Sequence, residues 1–153
     1  MFEDRLAELG IALPGPFPPH DPLDAVVLHR GTARTSGQLP RDAAGNVRTG
    51  ILGSEITPGA GAECAALCVL NALSVLREAL GSLDAIDRIL TMTVFIACAP
   101  NFVEQPAVAD GASKVLDSIF GLAGRHSRSA IGVAALPRGA SVEIELTVGL
   151  KDA

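Results

Sequence analysis

The stretch Ser127-Arg-Ser-Ala-Ile-Gly-Val-Ala-Ala-Leu-Pro-Arg-Gly-Ala-Ser-Val-Glu-Ile-Glu-Leu-Thr-Val-Gly-Leu150 decides the fold. In its second half Val142, Ile144, Leu146 and Val148 alternate with Glu143, Glu145, Thr147 and Gly149. That two-residue period is a strand with one apolar and one polar face. Residues 128–135 are small and apolar, with β-branched Ile131 and Val133, and predict a second strand. Leu136-Pro-Arg-Gly139 carries the turn signal between the two.

Arg128 stands among small neighbours, because Ala130, Gly132 and Ala134 share its strand face. A guanidinium is permanently charged, and its forked donors match a carboxylate. Two readings follow from the spacing. Either Arg128 anchors a small carboxylate ligand, or it pairs with Glu143 or Glu145 on the next strand.

Working upstream, Ala60–Leu80 reads as the clearest helix, with Leu67, Leu70, Leu73, Leu76 and Leu80 at helical spacing. Asn71, Ser74 and Glu78 form the expected polar stripe, and Gly81 stops the helix. Arg88–Cys98 predicts a mostly buried strand. Val108, Ala112, Val115, Leu116 and Ile119 then define a second long helix ending at Gly121 and Gly124. Ala25–Leu28 and Thr32–Leu39 predict two strands, with Ser36-Gly37-Gln38 interrupting the second. Arg41–Gly53 reads as a polar loop ending in a short strand. Phe2–Gly10 is a short helix, and the proline-rich run Pro14–Pro22 lies extended. We therefore divide the chain into an N-terminal segment, 1–24, and a domain, 25–153. The economical α+β packing sets both long helices on one sheet face. The other face is then expected to be apolar and covered by self-association.

Composition bounds the function. Hydrophobic residues make up 48% of 153 with only 3% aromatic, so Ala, Val, Leu and Ile must fill the core. A mean hydropathy of +0.38 is high, yet no uninterrupted apolar run reaches membrane-spanning length, and no membrane partner is expected. A net charge of −5 with scattered basic residues argues against nucleic acid as a partner. Met1 opens an acidic amphipathic stretch and not a secretory leader, which makes a cytoplasmic location the expectation. Cys64, Cys68 and Cys98 match no common zinc spacing, and Cys64 and Cys68 read as buried small residues.

Ser127-Arg128-Ser129, Val133, Leu136-Pro137 and Val142-Glu143-Ile144-Glu145 resemble the C-terminal signature of the RidA/YjgF family. Thr35-Ser36-Gly37-Gln38-Leu39-Pro40, the long helix after residue 59 and Thr93-Val94-Phe95-Ile96 continue the resemblance upstream. It implies a chorismate mutase-like fold assembled as a homotrimer, with ligand clefts between subunits. The activity implied is hydrolysis of 2-imino or 2-enamino acids to 2-keto acids and ammonia, without metal or cofactor. Arg128 then matches the carboxylate-binding arginine, and Glu143 the glutamate that positions water or shuttles protons. Ser36 and Gly37 match substrate-lining positions, and Ala130 matches a main-chain contact. His126, two residues before the arginine, is a further candidate for a titratable group. A small keto or imino acid is the ligand implied, and capture of such an acid without turnover is the alternative. The chain departs from the family pattern in having no tyrosine. His126-Ser127 also replaces the usual residues before the arginine, and Val108-Ala-Asp-Gly-Ala112 replaces a helix block with asparagine and tyrosine.

Overall fold

The computed structural model describes residues 1–152. These form α1 (Phe2–Leu9), β1 (Val26–His29), β2 (Thr32–Thr35), α2 (Pro58–Leu80), β3 (Ile86–Ala97), α3 (Gln105–Phe120), β4 (Ser127–Val133) and β5 (Val142–Leu150). Short single-turn helices join some of them. Thr57 caps α2 by accepting the Ala60 N–H at 3.2 Å, and Pro58 occupies the first turn, where a missing donor is harmless. Gly81 closes the helix at φ 81°.

The sheet order is β1-β2-β5-β3-β4. β3 runs antiparallel to β5 and parallel to β4, with α3 as the crossover. β4 and β5, consecutive in the chain, are therefore not neighbours in the sheet. The turn at Leu136–Gly139 exists, with Arg138 at φ 59°, but the strands it joins are separated by β3. The physical reason is the apolar character of β3, which makes it an interior strand with a partner on each side.

Ile89, Met92, Val94 and Ile96 of β3 and Val142, Ile144, Leu146 and Val148 of β5 are all buried. They form one core with Cys68, Val69, Ala72, Leu73 and Leu76 of α2 and Val108, Ala112 and Leu116 of α3. Both long helices thus lie on one sheet face, as expected. The opposite face is not the apolar surface anticipated. Glu143, Glu145 and Thr147 of β5 and Thr91, Thr93 and Phe95 of β3 lie there, and Arg34 of β2 meets Glu145 at 3.2 Å. Exposed apolar residues gather instead on the two edge strands, at Val27, Leu28 and Ile131.

Asn71 and Ser74 belong to no exposed stripe, since both are buried. Asn71 donates to the Arg41 carbonyl and to the Leu67 carbonyl, each at 2.9 Å, so it fastens the 41–53 loop to α2. That loop makes isolated bridges, such as Leu52 with Cys98, and not the short strand expected. α2 is long and apolar enough to cross a membrane, with a mean hydropathy of 1.6 in its most apolar window, but most of that window is buried between sheet and α3. An apolar pattern all round is what a core helix requires.

α1 is tied to the body. Asp84 accepts the Phe2 N–H at 2.6 Å, Glu3 accepts the Leu83 N–H at 2.9 Å, and the Phe2 and Phe120 rings lie 4.6 Å apart. The proline-rich run crosses the surface, with Phe17 under the Arg41 guanidinium.

Gly111 sets the approach of α3 to α2. A Cβ there would overlap the Ala62 carbonyl and lie 2.8 Å from its Cα. Replacing Gly by Ala in a helix ordinarily gains up to about 1 kcal/mol. Here the clash is with main chain, and overpacking costs about 1–3 kcal/mol. Gly111→Ala should therefore lower the melting temperature by several degrees, as calorimetry can read; a rise would show that the helices separate freely.

Candidate functional site

Arg128 lies on the edge strand β4, paired in register with Met92, which places it on the helix side of the sheet. Its Nη1 donates to Asp110 Oδ1 at 2.9 Å and to Ser113 Oγ at 3.1 Å, both on α3. Among the described residues nothing accepts from its Nε or Nη2, so that edge of the fork is free for a ligand. Ala130 pairs with Val94 and Gly132 with Ile96, which keeps the face beside Arg128 low. His126 stands next to the arginine, its Nε2 3.0 Å from Ser113 Oγ and its Nδ1 2.6 Å from the Gly124 carbonyl. Ser113, Asp117, Gly124, Arg125, His126 and Arg128 line a depression of about 420 Å³.

Glu143 belongs to a second depression, of about 430 Å³, together with Ser36, Gly37, His20, Phe17, Arg41 and Arg138. A Cβ on Gly37 would overlap the Glu143 carboxylate, so only glycine lets this acid lie against the main chain. The Ser36 hydroxyl donates to the Asp24 carbonyl at 2.7 Å and anchors the end of the proline-rich segment. Gln38 and Ile144 exchange backbone hydrogen bonds of 2.8 and 3.0 Å, which sets the register of this corner. Burial pushes the Glu143 carboxyl above its ordinary range, and the neighbouring Glu145 adds to the shift. Glu143 makes no ion pair among the described residues.

Arg128 and Glu143 therefore sit on opposite faces of the sheet within one chain. The ion pair considered for Arg128 is also corrected: its partner is Asp110 of α3, while Glu145 takes Arg34. β3 lies between β4 and β5, and the two-residue alternation turns the glutamates to the other side. Ser36, Gly37 and Glu143 are brought together, and so are Arg128, Ala130 and His126. Asp110 and Ser113 escaped sequence reasoning, as did the convergence of His20, Arg41 and Arg138 around Glu143. Their spacing at i and i+3 on a helix was legible, but only the parallel crossover shows which strand that helix covers.

Cys64 and Cys68 are buried; Cys68 donates to the Val142 carbonyl at 3.4 Å, and burial pushes its thiol up. Cys98 is half-exposed beside Gln105. Among the described residues no group of three or more His, Cys, Asp or Glu converges to hold a metal.

The raised Glu143 carboxyl has a stability consequence. Its charged form is disfavoured in the folded chain, so its contribution is present below the ordinary value of 4.5 and is lost as pH rises through the higher folded value. Glu143→Gln should melt higher than the parent at pH 7, and the difference should close as pH falls below about 4.5. Equal melting temperatures at pH 7 would mean the carboxylate is solvated.

Comparison with known proteins fits this geometry. The family profile described as "YjgF/chorismate mutase-like, putative endoribonuclease" matches residues 3–147. Protein TCP17 of Trypanosoma cruzi is 40% identical over 149 residues, covering 97% of this chain and 93% of its own. A protein of unknown function from Agrobacterium tumefaciens is 36% identical with a TM-score of 0.89, covering 98% of this chain and 94% of its own. A Shewanella oneidensis protein carrying the endoribonuclease description is 30% identical with a TM-score of 0.93, covering 98% and 99%. With the five-stranded sheet, the two helices on one face and the match over nearly the whole chain, this protein belongs to the YjgF/RidA family.

Proposed function

We propose that the chain hydrolyses small 2-imino and 2-enamino acids to 2-keto acids and ammonia, in a cleft completed by a second copy of itself. The observation that carries this is the Arg128 fork, held at Nη1 by Asp110 and Ser113 and free along its Nε–Nη2 edge. A carboxylate taken bidentately there leaves the imine carbon beside Ala130, whose side chain is a single methyl. Water adds to that carbon, the C–N bond breaks, and the nitrogen leaves as ammonia. Glu143 of another copy receives the proton of the attacking water and returns it to the departing nitrogen. A carboxyl with a raised pKa suits that exchange better than a strongly ionised one.

The same geometry supports self-association, which we read as the homotrimer that the family resemblance implies. Arg128 and Glu143 open on opposite faces, so only two copies bring them together. The edge strands that would meet carry exposed Val27, Leu28 and Ile131, and unpaired edges of this kind invite association. A net charge of −5 favours a small acid over RNA as substrate. The second reading, capture of a keto acid without turnover, is favoured by one observation. Phe17 gives the Glu143 depression an aromatic ring but no hydroxyl.

Light scattering at micromolar concentration should return three copies per particle; a stable monomer would remove the cleft. Iminopyruvate generated by an amino-acid oxidase should release pyruvate faster in the presence of the protein. Glu143→Gln should slow that release while leaving pyruvate affinity near the parent value. Pyruvate binding without faster release would establish the second reading.

Arg128→Ala should weaken pyruvate binding at least tenfold, because hydrogen bonds to a charged group are worth about 1.5–3 kcal/mol each. Stability should barely change, since Asp110 is half-exposed and such pairs contribute about 0.2–1 kcal/mol. Arg128→Lys should restore only part of the affinity, a point charge lacking the fork. Unchanged pyruvate affinity in Arg128→Ala would overturn the assignment.

A further inference from the structure

Ser113 and His126 do more than border the carboxylate-binding fork. The Gly124 carbonyl can only accept, so His126 Nδ1 carries the proton in the 2.6 Å contact. In the neutral ring Nε2 is then the lone-pair nitrogen, and at 3.0 Å it accepts from the Ser113 hydroxyl. Arg128 Nη1 donates to the same oxygen at 3.1 Å. A hydroxyl bonded to an imidazole, an imidazole oriented by a third group, and a cation beside the reacting oxygen are the parts of an activated serine. They open on a depression of about 420 Å³, which admits a small molecule.

We propose that Ser113 and His126 form a nucleophile–base pair that hydrolyses short-chain carboxylic esters through an acyl-Ser113 intermediate. Ser113 Oγ attacks the ester carbonyl carbon as its proton passes to His126 Nε2. Arg128 Nη1, already 3.1 Å from Ser113 Oγ, is the donor that can turn to the oxyanion as it develops, the role usually filled by backbone donors. The C–O bond to the alcohol breaks, and His126 returns the proton to the leaving oxygen. Water then attacks the acyl group, gives its proton to His126, and releases the acid as Ser113 recovers its hydrogen. Ester and water become acid and alcohol, with no other reactant. Arg125 and Asp117 are the further charged groups lining the depression. The chemistry shares Arg128 with the imine reading but needs neither Glu143 nor a second copy.

An alkyl fluorophosphonate, which is captured by activated serines, tests it on the full chain. Mass spectrometry of the digested protein should find one adduct per chain, on Ser113. 4-Nitrophenyl acetate should release nitrophenol with an initial burst. Ser113→Ala should lose adduct and burst together, and His126→Gln should slow both by about 100-fold or more, the usual worth of a general base. Ser113 is half-exposed on a helix, so its Ala variant keeps the fold and decides the matter even if the His126 variant does not fold. No adduct on Ser113, an adduct elsewhere only, or an undiminished burst in Ser113→Ala would overturn the proposal. The last pattern combined with weakened pyruvate binding would make Ser113 a positioning residue for Arg128.

Discussion

The parallel pairing of β3 with β4, closed by α3, is the constraint on which the site depends. Strand side chains alternate faces, so the register Met92 with Arg128 and Phe95 with Glu143 assigns each residue to a side. Met92 is in the core under the helices, and Arg128 goes with it. Phe95 faces away from the helices, and Glu143 goes with it. A slip of one residue in the β3–β5 ladder would turn Glu143 and Glu145 into the core, and a slip in the β3–β4 ladder would turn Arg128 away from the helices. The apolar residues of β3 and β5, all fully buried on one side, hold both registers against that slip.

Around this frame the two charged groups are handled differently. Arg128 is held by Asp110 and Ser113 before any ligand arrives, and part of the entropy of fixing a long side chain is thereby lost in folding and not in binding. Asp110 is itself half-exposed, so its hold on Nη1 is modest and leaves the charge available. Glu143 is pressed against Gly37 with a second acid two residues on, and only Glu145 receives an arginine. The chain thus keeps one carboxylate partnered by Arg34 and leaves the other disfavoured in its charged form. Folding tolerates that cost where a few kcal/mol from the core exceeds it, and strained or unpaired charges of this kind concentrate at functional positions.

Much of this was legible before any coordinates. The alternation from Val142 to Val148 marked a half-buried strand, the leucines from 67 to 80 marked a core helix, and the Arg128 motif marked a family. Asn71 was misplaced because polarity was taken as exposure, whereas a buried amide that satisfies two carbonyls is as stable as an exposed one. The turn signal at Leu136–Gly139 says that the chain bends there, and not which strands become neighbours.

The local elements, the core-facing residues and the family were determined by the sequence itself, since periodicity and motif are properties of adjacent residues. Strand order, and with it the separation of Arg128 from Glu143, belonged to the tertiary structure alone. So did the meeting of Asp110, Ser113, His126 and Arg128 across a crossover. The physical reason is the range of the interactions. Alternation acts over two residues and helical spacing over four, whereas the insertion of β3 between β4 and β5 is settled by burial of a strand some forty residues distant in the chain.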